Sequence, residues 1–174
     1  MKDATMGNQQ EIADIAWLAG MLNGDGCFSL KVRKRNDKVK RKGAQVDLSV
    51  TLTQTDGSII EKAKAIMERI TGMNTYIVEY PPCGAGKNTK MNLRYSKMQA
   101  IRKLLKAVEP FMVGNKAARA RLIIEYIDRR LSLSDIATKK KNPLYDKVSW
   151  ALVEKYYEAQ GKEIPKDVSE LLRD

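Results

Sequence analysis

The sequence predicts a mixed α+β domain whose elements follow one another in the order αββαββα. The spacing of apolar residues is helical over about 10–24, becomes alternating over about 27–35 and 45–53, and is helical again after Asp56. Two more alternating stretches, about 75–80 and 90–95, precede two further helical patterns that end near Arg130. Strand pairs separated by a helix are typical of an α+β fold with one layer of helices on a sheet.

Local signals place the ends of these elements. The first helix ends at Gly24, and the second begins at Asp56 as its N-cap and ends near Gly72. A loop rich in proline and glycine over 81–87 joins the second pair of strands. Ser96 is the expected N-cap of the third helix, which Pro110 ends. A fourth helix is expected over about 115–130.

The chain divides into a core over 1–131 and a C-terminal helical appendage over 132–174 that packs on the same domain. The composition changes after Leu131 to Ser, Asp and the run Lys139–Lys141, which precedes Pro143. A lysine run of this kind is usually a solvated turn, and contact with phosphates is the alternative.

The composition favours a polyanionic partner. The chain has 32 lysines and arginines against 21 acidic residues, a net charge of +11. It has no histidine and two cysteines, which excludes Cys/His zinc sites and catalysis by a histidine base. We expect no small-molecule cofactor, no membrane span and a reducing, intracellular location.

The segment Leu18-Ala19-Gly20-Met21-Leu22-Asn23-Gly24-Asp25-Gly26 closely resembles the signature of the LAGLIDADG homing endonucleases. The resemblance extends over about 12–130 and implies a four-stranded antiparallel saddle with helices on its back. Asp25 takes the place of the family's metal-binding acid, and Asn23 stands where another acidic residue often lies. The alternative reading is a small-residue helix contact that ends in a capping Asp.

The resemblance also implies a homodimer, because the chain contains one copy of the motif. Ala19, Gly20 and Asn23 are then expected at the dimer interface, where small residues let two helices approach closely. Paired Asp25 carboxylates, with the Gly24 carbonyl, would hold Mg²⁺, and other divalent cations such as Mn²⁺ or Ca²⁺ can occupy the same site.

Two more catalytic residues follow from the resemblance. Gln54 matches the polar residue that orders the attacking water, and Lys116 matches the basic residue that stabilises developing charge, with a one-residue insertion after Pro110. The alternatives are a turn residue at Gln54 and a surface charge at a helix start for Lys116.

The polar faces of the strands carry side chains suited to reading bases in a major groove. Arginine and lysine suit guanine, glutamine and asparagine suit adenine, and aspartate can accept from cytosine. A solvated sheet face is the alternative, and either Tyr76, Val78 and Tyr80 or Thr75, Ile77 and Glu79 face the groove from the third strand. The DNA-binding candidates are Ser29, Lys31, Arg33, Arg35, Gln45, Asp47, Ser49, Thr51, Asn92 and Arg94.

Together these features predict an intron-encoded homing endonuclease that acts on double-stranded DNA. Its homodimer would cut both strands of a long pseudo-palindromic site by metal-dependent hydrolysis. It would act where its genetic element resides, in the cytoplasm or nucleoid or in an organelle. An RNA maturase and a catalytically inactive DNA-binding regulator on the same fold are the alternatives.

Overall fold

The computed structural model describes residues 3–34, 44–82, 88–136 and 145–166. These residues form the expected mixed α+β fold, and the predicted order of its first seven main elements is confirmed. A 3-10 turn at Glu109–Phe111 separates the third and fourth helices. The elements are α1 (Asp3–Gly24), β1 (Gly26–Lys34), β2 (Ala44–Gln54), α2 (Gly57–Thr71), β3 (Ile77–Tyr80), β4 (Lys90–Tyr95), α3 (Met98–Val108), α4 (Gly114–Ile136) and α5 (Lys147–Glu158).

The four strands form one antiparallel sheet in the order β1-β2-β4-β3. Its register brings apolar residues of neighbouring strands side by side, as in the row Leu52, Leu93 and Ile77. This face packs under the helices and forms the core, whose burial is the main stabilising contribution. The opposite face collects most of the polar residues of β1, β2 and β4, so the predicted alternation in β1 and β2 is confirmed.

The predicted ends of α2 are confirmed, whereas the predicted cap of α3 is wrong. The Asp56 carboxylate accepts hydrogen bonds from the Ser58 and Ile59 backbone N–H groups, and Gly72 ends the helix with φ of 68°. At α3 the N-cap position belongs to Lys97, which makes no side-chain capping bond. Ser96 lies one residue too early because α3 begins at Met98.

Helix α4 continues without a break across residue 131, and α5 packs against it. The division between a core over 1–131 and an appendage over 132–174 remains a prediction, and Lys139–Lys141 lie outside the described residues. None of the helices in the described ranges is both long and apolar enough to cross a lipid bilayer.

Helix α5 protects the β1 edge of the sheet. Strand β1 pairs only with β2, so its other side presents unpaired backbone groups. The Val32 N–H donates to the Tyr157 hydroxyl at 3.0 Å. The Tyr156 hydroxyl donates to the Phe28 carbonyl at 2.6 Å, and the Arg119 guanidinium donates to the same oxygen at 2.5 Å. Helices α4 and α5 therefore satisfy this edge with side chains.

The junction between α1 and β1 leaves no room for a side chain at Gly26. A Cβ there would lie 2.4 Å from the Leu22 carbonyl oxygen and 2.8 Å from the Leu22 Cα. We expect Gly26→Ala to lower the free energy of unfolding by about 1–3 kcal/mol, as overpacking of a fixed backbone does. Thermal or urea unfolding measures the change. Gly57→Ala is the matched control, because its Cβ would make ordinary contact at 3.9 Å with Met91; equal losses in both variants would contradict the close approach.

The Tyr157 hydroxyl is expected to contribute measurably to stability. Tyr157→Phe leaves the buried Val32 N–H without its acceptor, and an unsatisfied buried donor costs about 1–3 kcal/mol. Urea unfolding of Tyr157→Phe and of Tyr80→Phe, whose side chain is exposed, provides the comparison. A Tyr157→Phe variant as stable as the parent would show that solvent replaces this hydrogen bond.

Candidate functional site

Asp25 lies at the point where α1 ends and β1 begins. Its backbone N–H makes the last helical hydrogen bond, to the Met21 carbonyl at 2.8 Å, and the strand starts at the next residue, Gly26. The chain therefore turns within one residue, and the Asp25 side chain is exposed at the end of the sheet. Such a junction holds the carboxylate on two rigid elements rather than on a loop.

Gln54 reaches Asp25 from the end of β2. Its amide Nε2 donates to the Asp25 Oδ2 at 2.5 Å, across 29 positions of sequence. The amide oxygen of Gln54 and the second oxygen of Asp25 remain available to other partners. The pair can thus accept a hydrogen bond from a water and ligate a cation at the same time.

Lys116 approaches the same junction from the first turn of α4. Its ammonium donates to the Gly24 carbonyl at 2.7 Å and to the Leu22 carbonyl at 3.3 Å, and these carbonyls belong to the last turn of α1. Burial lowers the pKa of Lys116 below its usual value, the nearby Arg119 adds to this effect, and Asp25 opposes it. The ammonium therefore gives up its proton more readily than a solvated lysine does.

The three predicted catalytic side chains thus converge on one end of the sheet. The Asp25 carboxylate and the Gly24 carbonyl are hard oxygen donors, which suit Mg²⁺. Across the described ranges, no group of three or more His, Cys, Asp and Glu side chains is placed to hold a metal ion. One chain therefore offers one carboxylate to a cation, and further ligands have to come from elsewhere.

The exposed face of α1 differs from the predicted interface at one residue. Ala19 has 0% of its surface exposed and packs in the core, so its assignment to a dimer interface is wrong. Gly20 is exposed, and a Cβ built there meets nothing within 4 Å. Asn23 is half-buried, and its side-chain oxygen has no hydrogen-bond partner among the residues that the structure describes.

The structure places nine of the ten DNA-binding candidates on the open face of the sheet, and Arg35 lies outside the described residues. The register joins them in rows across the strands. The rows are Ser29 beside Ser49, Lys31 beside Asp47, Arg33 beside Gln45, and Thr51 beside Arg94, with Asn92 on the same face beside Thr53.

Three of these side chains already contact one another. The Arg33 guanidinium pairs with the Asp47 carboxylate at 2.6 Å, and the Gln45 amide donates to the same carboxylate at 3.1 Å. Both partners of the ion pair remain well exposed. An exposed pair of this kind is weak, so either side chain can be drawn to another ligand.

The register also decides which residues of β3 face the open side. Val78 lies beside Asn92 and Tyr80 lies beside Lys90, whereas Ile77 lies beside Leu93 in the core. The set Tyr76, Val78 and Tyr80 is therefore the exposed one. Lys90, which was not among the candidates, joins the open face, and its even spacing from Asn92 and Arg94 was the signal for it.

Comparisons with known proteins support the fold. Among curated proteins, none matches the chain. The archaeal intron-encoded homing endonuclease I-Vdi141I, solved in complex with DNA, is 18% identical with a TM-score of 0.64, and the match covers 94% of each chain. The homing endonuclease I-CvuI, solved with its target and Ca²⁺, is 19% identical with a TM-score of 0.61, covering 94% of this chain and 95% of that one. At such identities the likeness establishes the fold.

One family model matches part of the sequence. The model described as LAGLIDADG endonuclease matches residues 18–92, which run from the motif at the end of α1 to the middle of β4. This range includes Asp25 and Gln54, and Lys116 lies beyond it. Residues 18–92 are therefore similar to the LAGLIDADG endonucleases.

Proposed function

We propose that the protein is a homing endonuclease that cuts both strands of a long, pseudo-palindromic DNA site as a homodimer. The observation that carries the proposal is the meeting of Asp25, Gln54 and Lys116 at one end of the open sheet face. These side chains come from three elements far apart in sequence. Their convergence beside a face rich in base-reading side chains is what a site-specific nuclease requires.

The single carboxylate that the described residues bring to the site supports a homodimer. A single Asp25 supplies one carboxylate, and the small exposed face of α1 around Gly20 is open to a second helix. Two chains packed through these faces would bring two Asp25 carboxylates together. Since like charges at close range are costly without a cation, such a dimer and Mg²⁺ binding would support each other.

Each residue of the cluster has a distinct task in hydrolysis. Asp25 and the Gly24 carbonyl would hold Mg²⁺, which activates water and stabilises the leaving 3′ oxygen when it is bound. The free amide oxygen of Gln54 orients the attacking water toward phosphorus. Lys116 stabilises the negative charge that develops on the scissile phosphate.

Base reading is assigned to the open face of the sheet. A twisted strand pair can lie along the major groove and present every second side chain to base edges. Lys31 and Arg94 are exposed and available to guanine or phosphate. Arg33 has to leave its ion pair with Asp47 in order to contact DNA. The Asp47 carboxylate is then free to accept a hydrogen bond from the amino group of cytosine. The exposed cations and the weak ion pair support this assignment.

Selection of cleavable sites from a randomised duplex library with Mg²⁺ tests the enzyme, its substrate and its symmetry together. The proposal expects one pseudo-palindromic site cut in both strands. A duplex that is bound and never cut would favour an inactive regulator, and preferential binding of structured RNA would favour a maturase. Either outcome would refute the nuclease.

Asp25→Asn is expected to abolish cleavage and leave binding of the selected site largely intact. Removing the cation ligand forfeits several kcal/mol of transition-state stabilisation, roughly a thousandfold in rate. Single-turnover cleavage and an equilibrium binding assay in Ca²⁺ measure the two effects. The matched control is Asp14→Asn, since Asp14 is a carboxylate of α1 that lies outside the Asp25 cluster and pairs with Arg69 at 2.7 Å. Unchanged cleavage by Asp25→Asn would refute the metal ligand.

Gly20→Leu is expected to separate the dimer while each chain stays folded. The added side chain enters open space in a single chain, but it would hold two α1 helices apart. Sedimentation equilibrium would show a monomer, double-strand cleavage would be lost, and far-UV circular dichroism would be unchanged. A Gly20→Leu protein that remains dimeric and cuts both strands would place the interface elsewhere.

A further inference from the structure

Strand β3 and Tyr76, the residue before it, present large apolar side chains to solvent, and those of Val78 and Tyr80 lie on the same face as the cations of β4. Tyr76 is 78% exposed, Val78 is 47% exposed and Tyr80 is 51% exposed. The core does not need them, because Ile77 supplies the apolar contact on the other side of the strand. Exposed apolar residues that are grouped in this way usually mark a binding surface.

The neighbours of these residues identify the partner. Val78 lies beside Asn92, and Tyr80 lies beside Lys90, with Arg94 next along β4. Cationic side chains on the adjacent strand favour a polyanion rather than a second apolar surface. The Asn92 side-chain oxygen is buried and has no hydrogen-bond partner in the described part of the chain, so the amide gains a partner if it turns toward a ligand on the open face. An amide beside a methyl-bearing side chain matches an A·T pair in the major groove.

The chemistry of that base pair explains the arrangement. Thymine alone among the four bases carries a C5-methyl group in the major groove, and adenine presents an acceptor and a donor that suit asparagine. Valine has no hydrogen-bonding group, so it can select a base only through apolar contact. Directly opposite side chains on neighbouring strands stand about 5 Å apart, which places the two contacts within reach of one base pair.

We propose that β3 reads thymine in each half-site, with Val78 packed on the C5-methyl group, Tyr76 and Tyr80 on either side of it, and Asn92 directed at adenine. This inference rests on the proposed function, since it names a feature of the DNA that the nuclease selects. The selected site then contains a symmetric pair of positions where thymine is strongly preferred.

Replacement of one of those thymines by deoxyuridine, in one half-site only, tests the contact at the level of one methyl group. The parent protein should bind the deoxyuridine site about fourfold more weakly, the loss expected for one buried methyl group. Val78→Ala should bind the thymine site more weakly and show no further loss with deoxyuridine. Val148→Ala is the matched control: Val148 is 52% exposed and lies on α5 rather than on a strand, so this variant should keep the fourfold difference.

The outcomes separate this inference from the proposed function. The role of β3 is overturned if the protein cuts a defined site that shows no thymine preference. It is also overturned if Val78→Ala still binds the deoxyuridine site more weakly than the thymine site. Neither result contradicts the proposed nuclease activity. Self-association of the free protein that Val78→Ala removes would mark β3 as a protein contact and also overturn the role of β3. A protein that binds no duplex at all overturns both.

Discussion

The geometry of the candidate site depends on the contact between Gly26 and the last turn of α1. The backbone of Gly26 passes so close to the Leu22 carbonyl that no side chain fits. This approach directs Asp25 out of the helix and away from the core. The Lys116 ammonium then binds the carbonyls of Leu22 and Gly24, so α4 is tied to the same junction. Fold and site therefore share one constraint, because a shift of α1 against β1 moves the carboxylate and the lysine together.

Arg119 extends this connection to the edge of the sheet. It lies one turn after Lys116 on α4 and donates to the Phe28 carbonyl, two residues beyond Gly26. The Tyr156 hydroxyl binds both the Arg119 guanidinium and that carbonyl, at 2.9 Å and 2.6 Å. Helix α5 thus supports the candidate site indirectly, since it fixes the strand that begins directly after Asp25. Tyr156 and Tyr157 of α5 thus supply hydrogen bonds to the backbone at the β1 edge of the sheet.

The sequence predicted the two faces of β1 and β2 well, because strict alternation of apolar and polar residues allows only one face of each strand to be buried. In β3 both sets of alternate residues contain apolar members, so only the pairing of Ile77 with Leu93 decides between them. Ala19 was misplaced because the motif contains residues from both sides of α1, and small size alone does not tell the buried side from the exposed one. The contacts of Tyr156 and Tyr157 with β1 span more than 120 positions, and no local pattern encodes them.

The predicted catalytic residues came from a resemblance, and the structure explains why composition alone would have missed them. Asp25, Gln54 and Lys116 are ordinary polar residues at the ends of a helix, a strand and a helix. Their meeting depends on the turn at Gly26, on the length of β2 and on the start of α4. The 3-10 turn at Glu109–Phe111 separates α3 from α4, and Lys116 in the first turn of α4 reaches the end of α1.

The two kinds of contact proposed for the open sheet face would respond differently to salt. Contacts from Lys31, Arg33 and Arg94 to phosphate would weaken as salt rises, because binding releases counterions from DNA. The apolar contact proposed for Val78 would not depend on counterions in this way. A nuclease built on this face would lose non-specific binding faster than specific binding as salt increases. Specificity would then be greatest where electrostatic attraction is partly screened and the methyl contact still operates.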